Sequence, residues 1–446
     1  MRKLFGTDGV RGIAGEFLTH SLAQSIGYAL GRILKSKKGD EIRVIIGTDT
    51  RESRTFLKEA LARGLTLSNA AAYDVGVVST PAVAYLTKKH GYDAGVMISA
   101  SHNSYEYNGI KIFGSDGFKL TDEEEEAIES IIFSNDTKKV NEARLVTKNE
   151  LKNEYVDYLK GYLEYDLSGI RAVIDCANGS ATSTAKEIFA TSGLSAEYIG
   201  CEPDGININR DCGSTHLSML REKVLESSAD IGIAFDGDAD RFLAIDENGN
   251  EIDGDFILAI LSIAMRQKGR LSSDTVVGTV MSNYGFTKFA SDNSLNFIAT
   301  KVGDRYVLEE MEKNGYSLGG EQSGHVIIRE AATTGDGQLT AIYLLNRMAE
   351  EKKPLSELAS IMKKYPQHMV NVHADENEKR AFKENALIKE VISDAERKLG
   401  ESGRILVRPS GTEPVVRIMT ESSELDTAVS VCESVAEKIR AILASK

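Results

Sequence analysis

The chain is 446 residues long, 41% hydrophobic and 27% charged, with a formal net charge of −14. That length exceeds one ordinary core and suggests three or four domains. The acidic balance excludes broad binding to nucleic acid or anionic membrane, both of which need basic surface. Cys176, Cys201, Cys212 and Cys432 are scattered, with no C-x-x-C pair and no metal-ligand spacing, as expected of reduced thiols. The N-terminal MRKLFGTDGVRG has no apolar h-region, and no stretch approaches the ~20 apolar residues of a membrane span. The expectation is a cytoplasmic protein.

Along the chain, short β-branched runs alternate with longer amphipathic segments, the pattern of βαβ units on a largely parallel sheet. The runs are IRVIIGTDTR (42–51), AGVMISASHN (94–103), RAVIDCANGS (171–180), DIGIAFDGDADR (230–241) and DTVVGTVMSN (274–283). Each ends in a small polar loop, and in open α/β sheets ligands bind beyond the carboxyl ends of strands. TDEEEEAIESII (121–132) predicts a helix with Thr121 as N-cap and Glu124 closing a capping box, its glutamates forming a solvated face. Residues 134–150 read as a polar linker, and Asn248-Gly249 as the turn of a hairpin between FLAID and EIDGD. From MVNVHA onward the pattern changes to strand–helix–strand–strand–helix. The expected domains are 1–150, 151–253 and 254–366, each α/β, and a fourth at 367–446.

FDGDADR (235–241) places Asp236, Asp238 and Asp240 at alternate positions directly after an apolar run. On a helix this spacing would scatter the carboxylates; on an extended loop all three can converge on one hard divalent cation. An EF-hand reading fails, because Arg241 stands where that loop needs glycine and FLAID reads as a strand. Three carboxylates leave Mg²⁺ positions that water or phosphate oxygens fill, so a phosphate is expected beside this loop.

RPSGTEPVVR (408–417) suits a phosphate: Arg408 and Arg417 offer planar bidentate donors, Ser410 and Thr412 hydroxyls, and Gly411 close backbone approach. The chain has no Walker motif, which argues against a P-loop nucleotide site. GGEQSGH (319–325) presents Glu321, Gln322, Ser323 and His325, a set suited to vicinal sugar hydroxyls. Arg11 in GTDGVRG and the pair Lys301 and Arg305 in TKVGDRYV are further basic candidates, solvated charges by default. ISASHNSYEYNGIK (98–111) gathers Ser99, Ser101, His102 and Lys111 at a strand tip. Periodicity alone does not choose between the two serines.

SASHN-x-x-x-x-NGIK, DGDxDR, GEQSGH and RPSGTEP occur in that order after FGTDGVRG. With these motifs the chain resembles the α-D-phosphohexomutases over essentially its full length, most closely their bacterial glucosamine-phosphate members. The resemblance implies three similar α/β domains with mixed or parallel sheets, and a smaller α+β C-terminal domain, around a central cleft. It implies that Ser101 carries a phosphoryl group. One Mg²⁺ per subunit would be held by Asp236, Asp238, Asp240 and a phosphoserine oxygen of Ser101. Glu321 and Ser323 would hold sugar hydroxyls, with Lys301 as a further substrate contact. Arg408, Ser410, Gly411 and Thr412, with Arg417 nearby, would hold the phosphate that is not reacting. Arg11, Lys111 and Arg241 would neutralise charge, while His102, Lys111 and His325 stay open as proton-transfer groups.

The implied activity interconverts glucosamine 6-phosphate and glucosamine 1-phosphate through phosphoserine 101 and a 1,6-bisphosphate, feeding UDP-N-acetylglucosamine and cell-wall precursors. Glucose or glucosamine 1,6-bisphosphate is the implied activator. The partner is a small-molecule sugar phosphate, with a homodimer as the candidate assembly and neither nucleic acid nor membrane. The alternatives are glucose or mannose phosphates as substrates, or a Mg²⁺-dependent sugar phosphatase. The chain departs from the family pattern twice. Ser104 stands where proline is common, which predicts a looser loop. Ala239 stands where glycine is common, which is tolerable only if the position does not need φ > 0.

Overall fold

A computed structural model describes residues 4–6, 8–39, 41–134, 142–410 and 413–444. Part of the expected linker at 134–150 lies outside these residues. The chain divides into two compact units, one of residues 1–281 and 295–361, the other of residues 282–294 and 362–446.

The first unit contains three sheets. The strands of the first are β1 (Val10–Ile13), β2 (Ile42–Thr48), β3 (Ala70–Val77), β4 (Ala94–Ile98), β5 (Tyr107–Gly114) and β6 (Leu145–Thr147), in the order β1-β5-β4-β2-β3-β6. The second has β7 (Arg171–Asp175), β8 (Ser195–Ile199), β9 (Ile231–Phe235), β10 (Phe242–Asp246) and β11 (Glu251–Ile252), ordered β11-β10-β9-β7-β8. The third has β12 (Thr275–Thr279), β13 (Asn296–Thr300), β14 (Leu318–Gly320) and β15 (Val326–Ile328), ordered β13-β12-β14-β15.

All three sheets share one plan: a parallel centre followed by an antiparallel pair, β4/β5, β9/β10 or β14/β15, beyond which the first two sheets add one more antiparallel strand, β1 or β11. The strands entering these pairs are buried along their whole length, hence their unbroken apolar runs. Each pair is joined by a polar loop, and these three loops are the serine, aspartate and GEQSGH motifs. Three equivalent turns of three sheets therefore hold three of the motifs picked out in the sequence.

The helix Asp122–Phe133 has the expected capping box between Thr121 and Glu124. Its glutamates are not all solvated, which corrects the sequence expectation. Glu125 and Glu129, four residues apart on one face, are buried. Glu129 Oε1 accepts the backbone N–H groups of Leu4 and Phe5 at 2.7 and 2.8 Å, and Glu125 meets the Arg305 guanidinium at 3.3 Å. Arg305 is likewise not a solvated charge. It is buried, and it also binds Asp122 and the Leu120 carbonyl.

The hairpin at Asn248-Gly249 forms as expected, with β10 paired to β11 and Gly249 at φ 82°. In the second unit β16 (Gln367–His373), β17 (Gly403–Pro409) and β18 (Val415–Ser422) form an antiparallel sheet ordered β16-β18-β17. The expected single helix between β16 and β17 is two, Glu376–Glu384 and Ala386–Leu399, because Asn385 breaks the first and caps the second through Leu387 and Ile388 N–H. Residues 282–294 join this unit through Glu421, which accepts Tyr284 N–H at 2.8 Å and Asn283 Nδ2 at 3.2 Å. Among the described residues no helix is long and apolar enough to cross a membrane.

Candidate active site

Two of the equivalent loops meet at Ser101. Its hydroxyl donates to Asp236 Oδ2 across 2.5 Å, tying the β4/β5 turn to the β9/β10 turn. Ser101 is almost completely buried and adopts φ 54°, in the left-handed region that few non-glycine residues occupy. Ser99 plays another part. Lying one residue past β4, it donates to Asp49 Oδ2 at 2.7 Å and accepts Ser101 N–H at 2.9 Å, so its hydroxyl is spent on the loop's shape.

Asp236, Asp238 and Asp240 are buried, and one oxygen from each lies within 4.8 Å of the others. Asp238 Oδ2 accepts the Thr80 hydroxyl at 2.5 Å and Lys111 Nζ at 2.7 Å, and Lys111 also reaches Asp240 at 3.3 Å. Asp238 Oδ1 and Asp240 Oδ1 are buried with no hydrogen-bond partner among the described residues. Burial and the neighbouring charges of Asp240 and then Asp238 push the Asp236 carboxyl well above the ordinary range. Hard oxygen donors, unused acceptor atoms and a carboxylate whose charge lacks a close ammonium all fit a divalent cation. The three aspartates have the make-up of a divalent-metal site.

A chain of alternating charges surrounds the aspartates. Lys111 Nζ also lies 3.1 Å from Asp8, which binds Lys119 Nζ at 2.5 Å and the Arg11 guanidinium. Lys119 in turn binds Asp304, which lies 3.6 Å from His325 Nε2, and His325 Nδ1 lies 3.7 Å from Asp240. The contacts close a loop through all three sheets of the first unit. Burial works against charge on Lys111, yet Asp238, Asp8 and Asp240 outweigh it and hold the amine protonated far above its usual range. Burial likewise opposes charge on Asp240, and Lys111, His325 and Arg241 overcome it, keeping that carboxylate ionised.

His102 is driven the other way. Burial, then the Arg241 and Arg11 charges, lower it to about 4, so the imidazole is neutral at pH 7. Its Nδ1 lies 3.4 Å from Ser101 Oγ, a long contact. Arg241 donates its backbone N–H to Asp236 Oδ1 at 3.1 Å and keeps its side chain beside Asp240, Nε to Oδ1 3.9 Å.

In the GEQSGH loop, Glu321 accepts Gly303 N–H at 3.0 Å, and Gln322 donates to Asp253 at 3.2 Å. Ser323 is half-buried. Lys301 stands apart, exposed, its amine 5.5 Å from the Tyr306 ring centre.

The phosphate motif belongs to the second unit. Arg408 and Arg417 are directly opposed across β17 and β18 and so share a face. Like charges so placed repel each other unless an anion or acid joins them, and Glu413 pairs with Arg417 here. Ser410 Oγ accepts Glu413 N–H at 3.1 Å, while Gly411 and Thr412 lie outside the described residues.

Several residues of this constellation escape sequence reading. Asp8, Lys119 and Asp304 become a network only through tertiary closure. Arg51 and Asn209 hold the Ser101 loop, although TDTR directly after a buried strand was a signal for the first of them. Ala239 corrects another expectation, since it does need a positive φ, at 54°. It is accommodated at a cost of about 1 kcal/mol rather than by an ordinary backbone. The Ser104 carbonyl is bound by Arg51, which anchors the loop at this position.

Family models for phosphoglucomutase/phosphomannomutase match the chain in four consecutive pieces. Alpha/beta/alpha domains I, II and III match residues 2–139, 153–249 and 253–365, and the C-terminal domain matches 369–438. The chain is 48% identical to a phosphoglucosamine mutase of Caldicellulosiruptor bescii, covering 99% of this chain and all of that one. It is 48% identical to that of Clostridioides difficile, covering 95% and 96%. Among solved structures, a phosphoglucomutase/phosphomannomutase family protein from Burkholderia thailandensis superposes with a TM-score of 0.82 at 23% identity, over 99% of this chain and 98% of that one. An Aspergillus fumigatus N-acetylphosphoglucosamine mutase in complex with GlcNAc-6P and magnesium has a TM-score of 0.67 at 18% identity, over 99% and 96%. These two structures share the fold, and the family models together span nearly the whole sequence. The chain belongs to the phosphoglucomutase/phosphomannomutase family.

Proposed function

We propose that this chain interconverts glucosamine 6-phosphate and glucosamine 1-phosphate by way of a phosphoryl group carried on Ser101. The observation that carries the reading is the Ser101 hydroxyl on Asp236, at the edge of three buried carboxylates. Simple binding of a sugar phosphate needs no nucleophile there. The names of relatives 48% identical to the chain support glucosamine as the sugar.

In this reading the Ser101 Oγ–P bond breaks as a new P–O bond forms to O1 of glucosamine 6-phosphate, giving the 1,6-bisphosphate. The O1 proton passes to an imidazole, with His102 lying nearest the serine. The bisphosphate then turns end for end. Its 6-phosphoryl group returns to Ser101 Oγ, O6 regains a proton, and glucosamine 1-phosphate leaves. Asp236, Asp238 and Asp240 would hold one Mg²⁺, which neutralises charge on the phosphoryl oxygens when bound. Lys111 and Arg241 add fixed positive charge beside them, and Arg11 stands behind Lys111 through Asp8.

Turning the intermediate requires the sugar and the distal phosphate to be gripped in either orientation. Glu321 and Ser323, with Lys301, serve the sugar, and Arg408, Ser410, Gly411, Thr412 and Arg417 the distal phosphate. A 1,6-bisphosphate would act as activator by recharging an unphosphorylated serine. The setting is cytoplasmic.

Turnover on glucosamine phosphates, compared with glucose and mannose phosphates, tests the reading while inorganic phosphate is followed. The expected result is isomerised glucosamine phosphate, with kcat/KM at least about tenfold above the other sugars. Stoichiometric release of inorganic phosphate would instead identify a phosphatase.

A further inference from the structure

The peptide group of Ser101 is held from every side. Its N–H donates to Ser99 Oγ at 2.9 Å, and its carbonyl accepts Arg51 from the first sheet's domain at 3.0 Å and Asn209 Nδ2 from the second's at 2.9 Å. The same two side chains share a second carbonyl, that of Asn103, at 2.8 Å from Arg51 and 3.0 Å from Asn209. Arg51 is fully buried, and its remaining donors go to the Ser104 carbonyl and to Asp49 Oδ2 at 2.8 Å. Asp49 Oδ2 is also the acceptor for Ser99, so serine loop and arginine share one anchor.

The metal loop closes on the same atom. A Cβ built on Gly237 would lie 2.5 Å from the Ser101 carbonyl oxygen and 3.0 Å from Asn209 Nδ2. Only glycine allows the aspartate loop to come so near.

We propose that Arg51 and Asn209 are positioning residues for phosphoryl transfer, which fix the Ser101 oxygen relative to the carboxylates of the second domain. The inference rests on the reading of Ser101 as phosphoryl carrier. A left-handed serine persists only where its surroundings over-determine it, and these two residues supply that restraint. Transfer between a serine oxygen and a sugar hydroxyl depends on in-line alignment, and a 1 Å displacement costs on the order of 10²-fold in rate. Substrate binding does not depend on this alignment, so the effect belongs in kcat.

The test uses the full-length protein. Asn209→Asp is isosteric and tolerates the φ of 57° at this position, but replaces a donor by an oxygen facing two carbonyls. It is expected to lower kcat at least about tenfold with KM within about twofold, and without loss of cooperative unfolding. Arg51→Lys keeps a charge for Asp49 but cannot reach three carbonyls, and is expected to lower kcat further. Where Arg51→Lys fails to fold, Asn209→Asp decides alone. A folded Asn209→Asp protein with wild-type kcat would overturn the proposal. Absence of phosphate on Ser101 of the active wild-type protein, read by peptide mass, would overturn the underlying reading instead.

Discussion

Gly335 lies directly against the ring of His325. Its N–H donates to Nε2 at 3.1 Å, and a Cβ built there would sit 2.5 Å from Nε2 and Cε1. Asp240 lies on the other side of the ring, 3.7 Å from Nδ1. Gly335 thus sets the place of the imidazole. Gly335→Ala is expected to push the ring off Asp240 and lower kcat about tenfold or more, with a melting curve close to wild type. Unchanged kcat in a folded variant would separate His325 from the reaction.

Arg305 and Lys301 make opposite predictions although they are neighbours in one motif. Arg305 is buried among Leu120 O, Asp122 and Glu125, joining the first and third sheets' domains. Arg305→Ala would leave Glu125 buried without its guanidinium and is expected to cost about 3 kcal/mol in urea unfolding. Lys301→Ala, at an exposed site, should leave the unfolding curve unchanged and raise KM for the sugar phosphate.

Ala239 sits between Asp238 and Asp240 in a left-handed conformation and is fully buried. Ala239→Gly removes the steric cost and a small buried methyl together, so stability is expected to stay within about 1 kcal/mol and activity to persist. Ala239→Val adds β-branching where φ is positive, and is expected to cost about 2 kcal/mol or more and to weaken Mg²⁺ binding. Titration calorimetry and thermal melts on the two variants check this.

Asp175, at the end of β7, accepts Gly213 and Ala177 N–H at 2.7 and 2.8 Å, yet burial raises its pKa to about 6. The folded state therefore holds this proton more tightly than the unfolded chain, where an aspartate titrates near 4. Its contribution is fully present below about pH 4 and is lost as pH rises through about 6, an effect of up to about 3 kcal/mol. Asp175→Asn cannot titrate and should flatten that part of the stability profile, at an overall cost in stability because its one amide oxygen serves only one of the two donors, which bond different carboxylate oxygens. Urea unfolding at pH 4.5, 5.5 and 6.5 provides the measurement.

The parts of the site that are contiguous in sequence were legible there. Three aspartates at alternate positions after an apolar strand point to a hard cation, and the structure brings their oxygens together, on a turn closed by Ala239 N–H to the Asp236 carbonyl at 3.0 Å rather than on the expected extended loop. Ser101 was chosen over Ser99 by family likeness, and the hydrogen bonds give the physical reason: Ser99 is committed to Asp49, whereas Ser101 faces Asp236. What was not legible arises from closure between distant segments. Nothing around Asn209 announces that it binds the carbonyl of Ser101, and the pairing of Lys119 with Asp304 joins two motifs that look unrelated in sequence. The buried glutamates of the Asp122–Phe133 helix were misread because an acidic first turn is usually solvated. Their spacing of four was the available signal.

The central claim is that Ser101 passes its phosphoryl group to the sugar and takes it back. A single-turnover chase tests it most directly: protein labelled with ³²P on Ser101 is mixed with excess unlabelled glucosamine 6-phosphate and quenched at intervals. The account predicts that label leaves the Ser101 peptide and enters sugar phosphate at a rate no slower than kcat, without appearing as inorganic phosphate. Label that stays on Ser101 while glucosamine 1-phosphate accumulates would contradict it.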